Sequence, residues 1–203
     1  DLSAVSGYTA AEDTTINEYF GASNPVDIDG QTVTFTPNAS FDRYTITTSA
    51  LSWDSDTGSV QSYLSGCDDC YAAQSIGFNF DYYGNTYSTT YIGTNGYITF
   101  DGGYRTYSES MNDFLNGYPR IAALFDDMAP HYSGGSNILV YSDASKLVVT
   151  WDNVPHYGTS SYNTFQIVLH SNGIIDISYN GIASTTYGAI AGISPGYGIS
   201  SNP

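Results

Sequence analysis

Apolar and polar residues alternate with a period of two along most of this chain, and no stretch of eleven or more residues sustains an apolar stripe at i, i+3, i+4 and i+7. Such alternation puts one set of side chains on each face of a strand, so a helical bundle is excluded and a half-buried sheet is favoured. Candidate strands fall at 32–36, 43–48, 75–80, 86–92, 96–100, 120–125, 137–142, 146–154, 163–170, 174–180 and 189–194. The segment from Lys146 reads Lys-Leu-Val-Val-Thr-Trp-Asp-Asn-Val, and two alternating arms flank Ser171-Asn172-Gly173. Asn95-Gly96, Asn172-Gly173 and Asn180-Gly181 supply the positive-φ residues that tight hairpins require. One short helix is expected at 108–115. Many short strands with regular turns predict an all-β fold, an antiparallel β-sandwich or jelly roll.

The polar part of the composition narrows the partners. Only 12% of the 203 residues are charged, while Tyr supplies 20 and Gly 21. Four cations, Arg43, Arg105, Arg120 and Lys146, face 20 carboxylates, for a formal charge of −16. Without a basic stripe there is no counterion release from a polyphosphate, so nucleic acid is not a partner. The same deficit argues against anionic membrane surfaces, and no apolar run approaches the roughly 18 residues needed for membrane insertion as a helix. An opening at Asp1 with no apolar leader is expected of an exported chain whose signal peptide has been removed.

The first 25 residues differ from the rest, being small, polar and weakly patterned. Leu2, Val5, Tyr8, Ile16, Tyr19 and Phe20 are their apolar anchors. They are read as an extended N-terminal arm preceding a sandwich domain at 26–203. Ten residues of strand span about 33 Å, enough to complete the open edge of a neighbouring sandwich. The only cysteines, Cys67 and Cys70, enclose Asp68 and Asp69. They form either a small extracellular disulfide or a redox pair; two adjacent carboxylates would raise the thiol pKa and disfavour the second use.

Several motifs bear on chemistry. Gly192-Ile193-Ser194-Pro195-Gly196 matches G-x-S-x-G, but the nucleophile elbow needs a backbone N–H after the serine, and Pro195 has none. His131, His156 and His170 lie far apart and fit no compact ligand spacing. Asp54-Ser55-Asp56-Thr57-Gly58 resembles the start of a calcium loop without its distal acidic ligand, and calcium, a hard ion suited to oxygen donors, is the cofactor to look for. Asn38-Ala39-Ser40 is the one N-x-S/T sequon and a candidate glycan site on the turn after the first predicted strand.

From Ser75 onward the order of segments resembles a nidogen-type (NIDO-like) β-sandwich domain of bacterial secreted and surface proteins. The residues that carry the resemblance are Ile76-Gly77-Phe78-Asn79-Phe80-Asp81-Tyr82-Tyr83-Gly84, Tyr91-Ile92-Gly93-Thr94-Asn95-Gly96-Tyr97-Ile98-Thr99-Phe100, Pro119 to Asp127, Val148 to Pro155, and Asn163 to Gly173. The match covers about 75–196. It implies an extracellular adhesive or structural setting without catalytic apparatus, so no enzyme is expected. It also places Asp126 and Asp127 at a strand end, where turn stabilisation or calcium binding is the reading. More loosely, the whole chain is similar in character to subunits of glycosylated, pilus-like fibrils.

Two functions follow as expectations. In the first, the chain is a structural subunit of an extracellular, glycosylated filament, a helical homopolymer joined head to tail by N-terminal strand addition. In the second, it is a monomeric adhesion module that binds polysaccharide or matrix through loop tyrosines and calcium.

Overall fold

The computed structural model describes residues 1–2, 15–132, 134–183 and 188–198. Among these residues thirteen strands form two sheets, every neighbouring pair antiparallel. One sheet holds six strands in the order β1 (Ile16–Phe20), β13 (Ala189–Ser194), β8 (Arg120–Phe125), β7 (Tyr97–Thr99), β6 (Asn85–Gly93) and β5 (Tyr71–Tyr82). The other holds seven: β3 (Tyr44–Ala50), β2 (Gln31–Pro37), β12 (Ile175–Tyr179), β11 (Tyr162–His170), β10 (Lys146–Pro155), β9 (Asn137–Ser142) and β4 (Ser59–Val60). Among the described residues helices are confined to α1 (Ser62–Ser65), α2 (Met111–Asn116) and one 3-10 turn at Pro130–Tyr132. The architecture is the predicted antiparallel sandwich.

The alternation in the sequence is what the two sheets bury. Phe165, Ile167 and Leu169 of β11 join Leu147, Val149 and Trp151 of β10 and Ile175, Ile177 and Tyr179 of β12 in the core between the sheets. From the facing sheet come Phe80, Ile92, Ile98, Ile121, Ala123 and Ile193. Trp151 stacks on Phe165 with centroids 5.2 Å apart and donates its indole N–H to the Gly93 carbonyl of the other sheet. Tyr179 ties the two sheets in a second place, its hydroxyl donating to the Ala123 carbonyl at 2.8 Å, while Tyr82 braces its own sheet, its hydroxyl donating to the Arg120 carbonyl at 2.7 Å and accepting from the Ser194 N–H at 3.1 Å.

The outer face of the six-stranded sheet is covered as well. Phe114 of α2 meets Tyr97, Ala122, Phe125 and Ile190 in a second buried cluster. The helix is capped where Ser110 accepts from the Asp113 N–H, so the predicted 108–115 helix begins later than its pattern suggests. Within this layer Arg120 is fully buried. Its guanidinium lies 4.7, 4.8 and 4.9 Å from the ring centroids of Tyr97, Tyr104 and Phe125, and its Nε, Nη1 and Nη2 find no acceptor.

The expectation that the first 25 residues reach a neighbouring molecule is not met where the arm is described. β1 pairs with β13 of its own chain, Ile16 opposite Ile193 and Phe20 opposite Ala189. Phe20 is fully buried, Ile16 packs on the same core, and Tyr19 stays exposed. Leu2 is buried too: its N–H donates to Glu18 Oε2 and its carbonyl accepts from Thr48 Oγ1 at 2.7 Å. The physical reason is that Ile16, Glu18 and Phe20 alternate inward, and an edge on the same chain is filled without the entropy of association. The sandwich therefore takes in Ile16–Phe20, ahead of the expected boundary at 26. Val5 and Tyr8 lie outside the described residues.

Two turn expectations divide. Asn172-Gly173 makes the tight β11–β12 connection, with Gly173 at φ 86°. Asn180-Gly181 instead ends β12, and the chain leaves for the other sheet.

Candidate functional site

Four loops converge at one end of the sandwich. The first is the Cys67–Cys70 loop, closed by a disulfide, which carries Asp68 and Asp69. The second runs from β7 to α2 and brings Tyr107, Ser108 and Glu109. The third follows β8 with Asp126 and Asp127, and the fourth is the β10–β11 connection with His156, Tyr157, Gly158 and Thr159. The second, third and fourth line a groove of about 490 Å³, and the first joins Tyr107, Asp127 and Tyr157 in lining an adjoining hollow with Asp68 and Asp69.

These loops are held by backbone bonds and buried side chains. Tyr157 N–H donates to the Asp127 carbonyl at 2.8 Å, and Ala129 N–H to the Pro155 carbonyl at 2.9 Å, so the third and fourth loops are tied to each other. Asn95 sits beneath them, almost fully buried. Its Nδ2 donates to Asp69 Oδ1 and its Oδ1 accepts from the Met128 N–H, both at 2.9 Å. The next residue explains why that turn is Asn-Gly. Gly96 has φ 76°, and a Cβ there would stand 2.0 Å from the Leu124 carbonyl oxygen. Thr94 Oγ1 completes the support by donating to the Asp68 carbonyl at 2.9 Å.

The electrostatics are lopsided. One carboxylate oxygen from each of Asp68, Asp69 and Asp127 lies within 4.8 Å of the others. Burial, then the charges of Asp69, Asp68, Asp126 and Glu109, pushes the Asp127 carboxyl up to about 6. Burial also raises Asp68, with Asp69 adding to the shift and His131 opposing it. Glu109 is raised by burial first and by Asp126 in smaller part. The neighbouring basic side chains do little to offset this charge: His131 Nδ1 stands 3.9 Å from Asp68 Oδ1, and Arg105 donates to the Asp69 carbonyl rather than to its side chain. Such a cluster of oxygen donors short of positive charge is chemically suited to a hard cation. Around the rim stand Tyr107, Tyr132 and Tyr157, each about half exposed, with the Tyr132 and Tyr157 rings 5.3 Å apart.

The residues expected from sequence to hold calcium are split by the structure. Asp127 is in the cluster. Asp126 beside it is turned inward, where Oδ2 meets His156 Nδ1 at 2.7 Å and Oδ1 accepts from the Asp127 N–H. The His156 contact is out of line for a directed hydrogen bond. Asp54 and Asp56 are nowhere near; Lys146 Nζ lies 2.7 and 2.8 Å from their carboxylates and already supplies the positive charge that a metal would bring. That is a correction to the calcium-loop reading of 54–58. The sequon residue Asn38 occupies an exposed turn between β2 and β3, where Oδ1 accepts from the Asp42 N–H and Nδ2 donates to Asp42 Oδ1. Ser194 is fully buried, and its Oγ accepts from the Gly196 N–H, which makes G-x-S-x-G a strand end and a turn.

Asp68, Asp69 and Glu109 are groove residues that motif reading does not select. The signal for the first two is present: a disulfide across two aspartates fixes both carboxylates in one place. For Glu109, His156 and Tyr157 no local pattern exists, because they meet only through the strand order.

Among the described residues no helix is long and apolar enough to cross a membrane. No solved structure matches this chain. A model of the NIDO-related family matches residues 43–202, beginning at the start of β3 and thus well before the 75–196 stretch that carries the motifs. With most of its length matched, and with the two-sheet sandwich that the motifs imply, the chain belongs to the NIDO-related family.

Proposed function

We propose that this protein is an extracellular adhesion module that binds polysaccharide or matrix through a divalent cation, calcium by the chemistry of its donors, held at Asp68, Asp69 and Asp127. Family membership supports the extracellular, adhesion-type setting. The observation that carries the rest is the convergence of three carboxylates, with oxygens within 4.8 Å of one another, in a groove rimmed by half-exposed tyrosines. A bound cation would neutralise the mutual repulsion of the cluster and offer open positions to ligand hydroxyls, while Tyr107, Tyr132 and Tyr157 supply rigid, amphipathic contact area. Binding, not catalysis, is the proposed role. Assembly into filaments by the arm has no support in the structure, because Leu2 and Ile16–Phe20 are satisfied by their own chain.

Terbium luminescence tests the reading directly, since rim tyrosines would sensitise a lanthanide in the calcium position. Terbium emission should appear on excitation of tyrosine, be displaced by calcium, and fall at least tenfold in Asp127→Asn. In Trp53→Ala, which silences the second groove described below, retention on a polysaccharide column should be lost with EDTA. Sensitised emission unchanged in Asp127→Asn, or retention indifferent to EDTA in the variant described below that lacks Trp53, would overturn it.

A further inference from the structure

The outer face of the seven-stranded sheet carries a feature that the acidic groove does not explain. Thr32, Ser178, Gln166 and Thr150 stand side by side across β2, β12, β11 and β10, in register, and all four are buried. Polar residues on the outer face of a sandwich are ordinarily solvated, so burial of a whole row requires something laid across it. That something is the loop from β3 to β4. Ser52 N–H donates to Thr32 Oγ1 at 2.8 Å, and Ser178 Oγ donates to the Ser52 carbonyl at 2.9 Å. Gln166 clasps Asp54 from both sides, Oε1 accepting from its N–H at 3.2 Å and Nε2 donating to its carbonyl at 3.0 Å. Lys146 then pins the Asp54 and Asp56 side chains.

A loop bound to three strands through its backbone and to a fourth through the side chains of Asp54 and Asp56 is pre-organised, and the residue held between its two backbone anchors is Trp53. The chain has two tryptophans; Trp151 is deep in the core, whereas Trp53 is partly exposed. Beside it, where the row of polar residues ends, His170 Nε2 meets Asp176 Oδ2 at 2.8 Å, and Thr34 Oγ1 donates to Asp176 Oδ1. Trp53, Ser52, Asp54, Ser55, His170 and Asp176 line a groove of about 290 Å³, with Val168 as its floor. Ligand grooves usually enclose about 300–1,000 Å³, so this one has room for a single ring.

We infer that this groove is a second ligand site that takes one ring of a neutral saccharide, stacked on Trp53 and hydrogen-bonded to the His170–Asp176 pair. Charge excludes an acidic sugar: Lys146 is shared between Asp54 and Asp56, and Asp176 is engaged by His170 Nε2 and Thr34 Oγ1, so the groove offers no free cation. A neutral pyranose, with an apolar C–H face and a rim of hydroxyls, matches one aromatic plane beside a fixed donor and acceptor pair. Rigidity of the loop keeps the entropic cost of ordering low. The site shares no residue with the acidic groove and needs no cation.

The test is affinity electrophoresis of the whole protein in gels cast with dextran, mannan or galactan, run in EDTA so that the acidic groove is silent. At least one polysaccharide should retard the protein and shift its tryptophan emission, which reports Trp53 because Trp151 is sealed in the core. Trp53→Ala should weaken retardation about tenfold or more. Trp53→Phe, which keeps a smaller ring and guards against a folding defect, should fall between. Asp127→Asn should leave retardation in EDTA unchanged. If none of the three polysaccharides retards the wild type in EDTA, or if Trp53→Ala migrates as the wild type does, the assignment fails. Retardation abolished by Asp127→Asn would also overturn it and hand the ligand to the acidic groove.

Discussion

Arg120 offers the sharpest test of how this fold tolerates a buried charge. Removing a guanidinium from water costs several kcal/mol, and burial pushes its pKa down accordingly. Three rings within 5 Å of its centre return about 0.5–2 kcal/mol each when desolvated, and no hydrogen bond adds to that. The two sides nearly cancel. Arg120→Met, which loses both while keeping most of the volume, should therefore lie within about 1.5 kcal/mol of the wild type. Arg120→Lys should be worse than Met by about 2 kcal/mol or more, because an ammonium is more strongly hydrated and cannot stack its charge flat against the Tyr97, Tyr104 and Phe125 rings. Arg120→Ala adds a cavity and should cost about 3–5 kcal/mol. In a chain of this size each kcal/mol is worth about 2–4 °C, so calorimetric melting at pH 7 should place Lys some 4–8 °C below Met. Urea titrations would supply the free energies. A lysine variant as stable as the methionine variant would refute the cage account and imply that charge alone, placed anywhere in the pocket, is what the site requires.

Three further outcomes follow from the geometry. The Asp127 carboxyl titrates higher in the fold than in the unfolded chain, so the native state holds the extra proton between about pH 4 and 6, and stability in EDTA should fall as pH rises through that window; melting curves should show a steeper slope in the wild type than in Asp127→Asn, where only the raised Asp68 and Glu109 remain to contribute. Replacing Cys67 and Cys70 by serine removes a cross-link over a very short loop, worth about 2 kcal/mol by loop entropy, but terbium affinity should drop at least tenfold because Asp68 and Asp69 are no longer held together. Gly96→Ala must place a methyl group 2.0 Å from the Leu124 oxygen at positive φ, and a loss of about 3 kcal/mol or more should show as a collapse in soluble yield.

What the sequence revealed and what it hid follow from range. Strands such as Arg120–Phe125, Asn137–Ser142 and Ala189–Ser194 are legible to the residue, because alternation and flanking turns are local. β1 was hidden because Glu18 occupies an inward position; its burial is tolerated only through Leu2 and Asn24, which donate to its two oxygens. β4 is two residues long and exists by pairing with β9. The calcium-loop resemblance at 54–58 misled because Lys146, ninety residues away in sequence, was invisible as the partner of Asp54 and Asp56. Conversely, sequence reading singles out Asp127 but not Asp68 and Asp69, although all three meet in space. Only the strand order that brings the disulfide loop beside the end of β8 makes them a set.

The pairing of β1 with β13 has a mechanical consequence. Ile16 stands opposite Ile193, so the segments that lead into β1 and out of β13 leave the sheet at the same end of one antiparallel pair. Tension drawn between them loads the ladder bonds one after another, as in opening a zipper, instead of straining all of them together in shear. Anchored at those two points, this sandwich yields from its edge at low force, behaving as a fuse in a tether and not as a rope.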